Sequence, residues 1–219
     1  MTTSGAAARK IGMLNLPNLL TLSRIVAIPL VVACFWLDRG WAQWLSAGLF
    51  ALACITDWFD GYFARRYHQI SRFGRFLDPI ADKLLVAAAL VMLVKNGTLS
   101  DINVLAALII LAREILVSGL REFLAELNVS VPVSQLAKWK TGAQMGAITF
   151  LLLGDAAPPL VGQIGLALIW VAAVLTLVTG YDYLRTGLRH MSEAVREAAR
   201  EGSLLRLDEA HGGRRRGRD

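Results

Sequence analysis

DWFDGYFARRYHQISRFGRFLDPIADK, residues 57–83, sets four carboxylates between two apolar runs. An ionisable residue within a membrane-length helix is costly and by default marks function. The spacing orders the four. Asp57 and Asp60 are i, i+3, and Asp78 and Asp82 are i, i+4, so each pair shares one helix face. A short connection returns the chain between them, which predicts two helices side by side with four carboxylates at one depth. Anions so gathered repel unless cations neutralise them. Oxygen-only ligation suits Mg²⁺ or Mn²⁺, and the sequence offers no His or Cys cluster for a softer ion.

Each of these residues also has a purely architectural reading. Asp78 precedes Pro79 and fits an N-cap followed by proline at the first helical position. Asp60 can pair with Arg65, Asp57 can tie two helices together, and Gly61 and Ala64 can be small residues that let helices approach. A cap accounts for one carboxylate and leaves three.

Working outward, the chain has 219 residues, 55% hydrophobic and only 18% charged, against about 25% charged in soluble domains. Its mean hydropathy is +0.50. Six apolar runs are long enough to span a bilayer, at about 16–37, 41–63, 79–95, 102–120, 141–160 and 161–184. Asp38–Gly40, Lys95–Asp101 and Gly154–Pro159 break them. The first run carries Asn15, Pro17, Asn18, Thr21 and Arg24 in its inner part, unlike a cleavable signal peptide, and reads as a retained helix. Of 23 Lys and Arg residues, all but Arg39 and Lys95 lie in the N-terminal part through Arg24, in 65–83, in 113–140 or from Arg185 onward. By the positive-inside rule these segments are cytoplasmic. The expectation is an all-α integral membrane protein of six transmembrane helices with both termini in the cytoplasm. Trp36, Trp41 and Trp44 mark the opposite interface.

The net charge of +6 is then mostly positive-inside charge. Nucleic acid is not expected as a partner, since no basic patch with stacking aromatics stands outside the membrane pattern. Cys34 and Cys54 lie in apolar runs and read as small buried hydrophobes. The expected organisation is a membrane catalytic domain over 1–189 and a basic cytoplasmic tail over 190–219, helical over Met191–Arg206 and disordered from Gly212. The tail's plain role is affinity for anionic lipid.

Residues 57–82 fit D-x2-D-G-x2-A-R-x8-G-x3-D-x3-D at every fixed position: Asp57, Asp60, Gly61, Ala64, Arg65, Gly74, Asp78 and Asp82. This resembles the signature of the CDP-alcohol phosphatidyltransferases, integral membrane enzymes of phospholipid synthesis. The resemblance implies a six-helix bundle, a homodimer, and displacement of CMP from a CDP-linked lipid. It implies that Asp57, Asp60 and Asp78 ligate a pair of divalent ions, Mg²⁺ or Mn²⁺, with Asp82 as a further ligand or the general base. It also implies that Gly61, Ala64 and Arg65 line the cytidine diphosphate site, with Ser71 a weaker candidate.

LNLPNLLTLSRIVAIPL (14–30), AREILVSGLREFLAE (112–126) and KWKTGAQM (138–145) resemble the bacterial branch of that family whose acceptor is sn-glycerol 3-phosphate. The substrates implied are CDP-diacylglycerol and glycerol 3-phosphate, handled at the cytoplasmic face of a bacterial inner membrane. An acceptor bearing a phosphate needs cations, and Arg113, Arg121, Lys138 and Lys140 are the candidates. Arg113 and Arg121, eight apart, fall about 80° from alignment on a helix and can address one cavity. Positive-inside anchoring, with Glu114 and Glu122 as surface partners, is the plainer account of the same residues. Asn18 and Thr21, with Arg24, read as nucleotide or phosphate contacts, against capping and snorkelling. Other acceptors (phosphatidylglycerol, inositol phosphate or serine) remain open within the class. A small transporter is the reading outside it, although the outer halves of the spans lack a charged path.

Overall fold

The computed structural model describes residues 16–37, 39–67, 72–126 and 135–215. Among them there is no strand, and six α-helices carry the fold: α1 Leu16–Cys34, α2 Gly40–Tyr67, α3 Arg72–Lys95, α4 Asn103–Glu126, α5 Gln135–Leu153 and α6 Pro159–Arg215. The expected breakers sit at the helix ends. Gly97 (φ +78°) and Asp101 (φ +49°) turn the chain between α3 and α4. Both adopt the left-handed region, which Gly enters freely and Asp tolerates. Gly154–Ala156 forms a 3₁₀ turn after α5, and Pro159 is the first residue of α6, where its missing N–H costs nothing.

Two boundaries differ from the sequence reading. Helix α3 begins at Arg72, so Asp78 and Pro79 stand inside it and Asp78 is not an N-cap. Proline is accommodated there at the cost of one backbone hydrogen bond. Helix α6 runs unbroken to Arg215, so the change of composition near residue 190 falls within a continuous helix.

Among the described residues two helices are long and apolar enough to cross a membrane, Asn103–Ala125 and Pro159–Arg189, and Thr21–Cys34 is a shorter apolar helix. Only 22% and 28% of those two apolar windows is buried, which is unlike the core helix of a soluble protein. Leu108, Ile115, Val174 and Leu177 are among the large apolar side chains exposed on their outer faces. Water would penalise such faces and lipid does not.

The core is apolar and tightly closed. Phe50, Leu85, Leu90, Ile110, Ile148, Leu151 and Ile169 are fully buried, and Ala89, Ala106, Ala147 and Ala172 let helix backbones approach. A Cβ on Gly165 would stand 2.9 Å from the Leu151 side chain, which marks a close α5–α6 approach. Helix α1 packs against both α2 and α3. The sequence reading set α2 and α3 directly against each other. Among the described residues α1 and α5 each pack against both of them.

Candidate active site

Helix α1 supplies a polar face to an otherwise apolar contact. Thr21 and Arg24, one turn apart, are 2% and 1% exposed. Burying a guanidinium requires partners, and Arg24 Nη2 donates to Asp57 Oδ1 of α2 at 2.7 Å. The Asp57 side chain remains 44% exposed, so a second ligand can reach it. One turn earlier, the Cys54 thiol meets Met145 Sδ at 3.4 Å and fastens α2 to α5. Asp82 is half-buried on α3. Against α1 and α2 lies an apolar cavity of about 340 Å³, lined by Leu22, Val26, Leu30 and Leu52, with Ser23, Arg24 and Thr56 as its polar lining.

A second polar cluster joins α4, α5 and α6. Lys140, 4% exposed, forms a salt bridge with Glu114. Arg113 Nη1 lies 3.5 Å from the same carboxylate oxygen, and its Nη2 donates to Thr179 Oγ1 at 3.3 Å. Gly180 makes room for this arginine, since a Cβ there would sit 3.1 Å from Arg113 Cγ. Three buried polar atoms around this cluster have no hydrogen-bond partner among the described residues: Arg113 Nε, Gln144 Oε1 and Thr176 Oγ1. Buried groups of this kind normally find a partner, so the cluster has donors and acceptors to spare for a bound polar group. Lys83 Nζ donates to the Pro79 carbonyl at 3.0 Å and to Ser118 Oγ, which ties α3 beside Asp82 to α4.

The four cations expected to grip the acceptor differ in exposure and in the partners they meet. Arg113 and Lys140 meet through Glu114. Lys138 is exposed, and Arg121, also exposed, lies over the Tyr183 ring at 5.6 Å. Asp60, Gly61, Ala64 and Arg65 belong to α2, Asp78 to α3 and Asn18 to α1, but their side chains lie outside the described residues, as does the whole of Ser71. Among the described residues no three His, Cys, Asp or Glu side chains gather closely enough to hold a metal. The two motif carboxylates that are described, Asp57 and Asp82, are hard oxygen donors, the type that Mg²⁺ and Mn²⁺ take.

The sequence reading passes over Lys83 and gives Glu114 and Arg24 other parts. Lys83 was absorbed into the positive-inside count, although its place directly after Asp82 was the available signal. Glu114 was read as a surface partner, yet it is the hinge of the buried cluster, 17% exposed. Arg24 was grouped with phosphate contacts, and its link to Asp57 had no signal in one dimension.

The sequence profile of the family described as CDP-alcohol phosphatidyltransferase matches residues 14–178. The chain is 51% identical over 173 residues to a CDP-diacylglycerol–glycerol-3-phosphate 3-phosphatidyltransferase of Rickettsia bellii, covering 78% of this chain and 94% of that one. A protein of the same name from Salmonella choleraesuis is 49% identical, with 78% and 93% covered. A third, from Cereibacter sphaeroides, is 40% identical over 216 residues, with 82% and 98% covered.

Proposed function

The chain belongs to the CDP-alcohol phosphatidyltransferase family, and from that premise we propose a site-by-site account of how it transfers a phosphatidyl group from CDP-diacylglycerol to sn-glycerol 3-phosphate, yielding phosphatidylglycerophosphate and CMP. The observation that carries this reading is the unbroken eight-position motif over 57–82, in a chain that covers 93–98% of relatives bearing that name.

The acceptor hydroxyl attacks the phosphorus that bears diacylglycerol. The new O–P bond forms as the bond to the CMP oxygen breaks, and the hydroxyl proton passes to Asp82. Asp57, Asp60, Asp78 and Asp82 would hold two divalent ions, Mg²⁺ or Mn²⁺. When bound, these supply neutralisation of the charge that gathers on the pyrophosphate oxygens. Arg24 orients Asp57 through its 2.7 Å contact. Asn18, Thr21, Gly61, Ala64, Arg65 and Ser71 line the nucleotide site. The apolar cavity against α1 and α2, with Arg24 in its polar lining, suits an acyl chain of the donor lipid. Arg113 and Lys140 bind the acceptor phosphate, and Glu114 holds the two cations together against their mutual repulsion.

The surrounding organisation follows from the charge pattern. All six helices span the membrane, both termini are cytoplasmic, and the active site opens at the cytoplasmic face of a bacterial inner membrane. The protein works as a homodimer, with residues 1–189 as the catalytic unit and 190–219 as a cytoplasmic tail. The experiment that tests the function is incubation of the purified protein with CDP-diacylglycerol, Mg²⁺ and a panel of alcohols, following CMP release. Glycerol 3-phosphate should be the preferred acceptor. Equal or faster CMP release with phosphatidylglycerol, inositol phosphate or serine overturns the assignment.

A further inference from the structure

At the end of the bundle opposite the carboxylates, the α1–α2, α3–α4 and α5–α6 connections converge on a cavity of about 300 Å³. Six polar residues line it: Arg39, Gln43, Ser46, Asn96, Thr98 and Asp155. Ser46 is 2% exposed, and its Oγ has no hydrogen-bond partner among the described residues. A buried hydroxyl left unpaired is costly, and one that lines a cavity beside other polar side chains points to a bound group. Gly154 takes φ +48°, and a Cβ there would stand 3.0 Å from Gln43 Nε2, so glycine lets the α5–α6 turn lie against that amide.

The charges select the ligand. Among the described lining residues there is one cation, Arg39, and one carboxylate, Asp155. A simple anion would meet Asp155 and a simple cation would meet Arg39. A group carrying a phosphate and an ammonium together satisfies both. Lys95, at the same end, does not line the cavity and lies over the Trp36 ring at 4.3 Å. Trp36, Trp41 and Trp44, 63%, 52% and 56% exposed, put this end at a membrane interface, where tryptophan concentrates. The volume is at the lower limit of the ~300–1,000 Å³ usual for ligand pockets, enough for a headgroup but not its chains. Exposed Leu37 and Leu45 offer the chains an apolar surface close by.

We propose that this cavity binds the headgroup of a zwitterionic phospholipid of the outer leaflet, between Arg39 and Asp155. The site is remote from the motif carboxylates, and the proposal does not depend on the transferase reaction.

The test uses the full-length protein in detergent micelles and chain-labelled phosphatidylethanolamine as probe. Phosphatidylglycerol and free phosphoethanolamine serve as comparisons. Binding of phosphatidylethanolamine should saturate, and Arg39→Ala or Asp155→Ala should each weaken it about tenfold or more. Asp155→Ala should leave phosphatidylglycerol binding no weaker. Ser46→Leu, which fills the cavity, should abolish phosphatidylethanolamine binding. CMP release by the Asp155→Ala protein should match the parent, which separates loss of this site from loss of the fold. Should Ser46→Leu fail to fold, the Arg39 and Asp155 variants decide. Equal binding of the two lipids, indifferent to both substitutions, overturns the proposal. So does free phosphoethanolamine binding as tightly as the lipid, which would make the cavity a small-molecule site.

Discussion

Arg24 of α1 donates to Asp57 of α2 at 2.7 Å, with the arginine side chain 1% exposed and the aspartate 44%. The pair is therefore lopsided: a cation sealed between helices holds a carboxylate that is still open on one side. Such an arrangement fixes the first carboxylate of the motif while leaving it reachable by a metal. The same α1 packs against both carboxylate-bearing helices, α2 and α3.

Replacing the cation tests that role. Arg24→Gln should destabilise the protein by about 1–3 kcal/mol, less than the 3–5 kcal/mol of a fully buried pair because Asp57 is partly solvated. CMP release should fall at least tenfold, and Arg24→Lys should keep part of both. Thermal unfolding in detergent beside the CMP assay measures the two effects. An unchanged melting temperature in Arg24→Gln would remove the structural part of this argument.

Activity should require a divalent ion. Chelation should stop CMP release, and added Mg²⁺ or Mn²⁺ should restore it. Asp57→Asn, Asp60→Asn and Asp78→Asn should each abolish turnover, since an amide is a neutral and weaker ligand. Near-normal turnover in any two of these variants at saturating Mg²⁺ would contradict the two-ion assignment.

Asp82 should matter to chemistry more than to nucleotide binding. Asp82→Asn should lose kcat while the affinity for CDP-diacylglycerol stays close to the parent value. A loss of nucleotide affinity in proportion to the rate would make Asp82 chiefly a metal ligand.

The carboxylates and the helix ends were legible in the sequence for a physical reason. Charge inside an apolar run and glycine at a turn are local signals, so Asp57, Asp82, Gly97 and Gly154 announced themselves. Partnerships between distant residues are not local. Glu114 and Lys140 are 26 positions apart, and either could equally have faced solvent. Helix α3 began earlier than expected because Arg72–Leu77 is too polar to read as a span, yet it continues the same helix. The different burial of the four acceptor cations was hidden for a related reason. Residue type told that phosphate-binding cations were available, but only packing separates the buried Arg113 and Lys140 from the exposed Arg121 and Lys138.

That separation yields the most discriminating prediction. Arg113 and Lys140 are buried against Glu114, where low dielectric strengthens a charge-assisted contact to a phosphate. Truncating either to Ala removes a contact of about 1.5–3 kcal/mol. At tenfold per 1.36 kcal/mol this is roughly a ten- to hundredfold loss. It should appear in KM or kcat/KM for glycerol 3-phosphate, with the KM for CDP-diacylglycerol little changed. Arg121→Ala and Lys138→Ala should cost less than about threefold, because exposed charges are screened by water and salt. Glu114→Gln should behave like the Arg113 and Lys140 variants, since it releases both cations from their shared anchor. Plain glycerol, lacking the phosphate, should be a poor acceptor for the parent and no poorer for any variant. Steady-state kinetics with both acceptors across the five variants checks this. Equal losses with glycerol and glycerol 3-phosphate would mean that the cluster serves the fold. Losses at Arg121 and Lys138 as large as at Arg113 and Lys140 would return the acceptor site to all four cations.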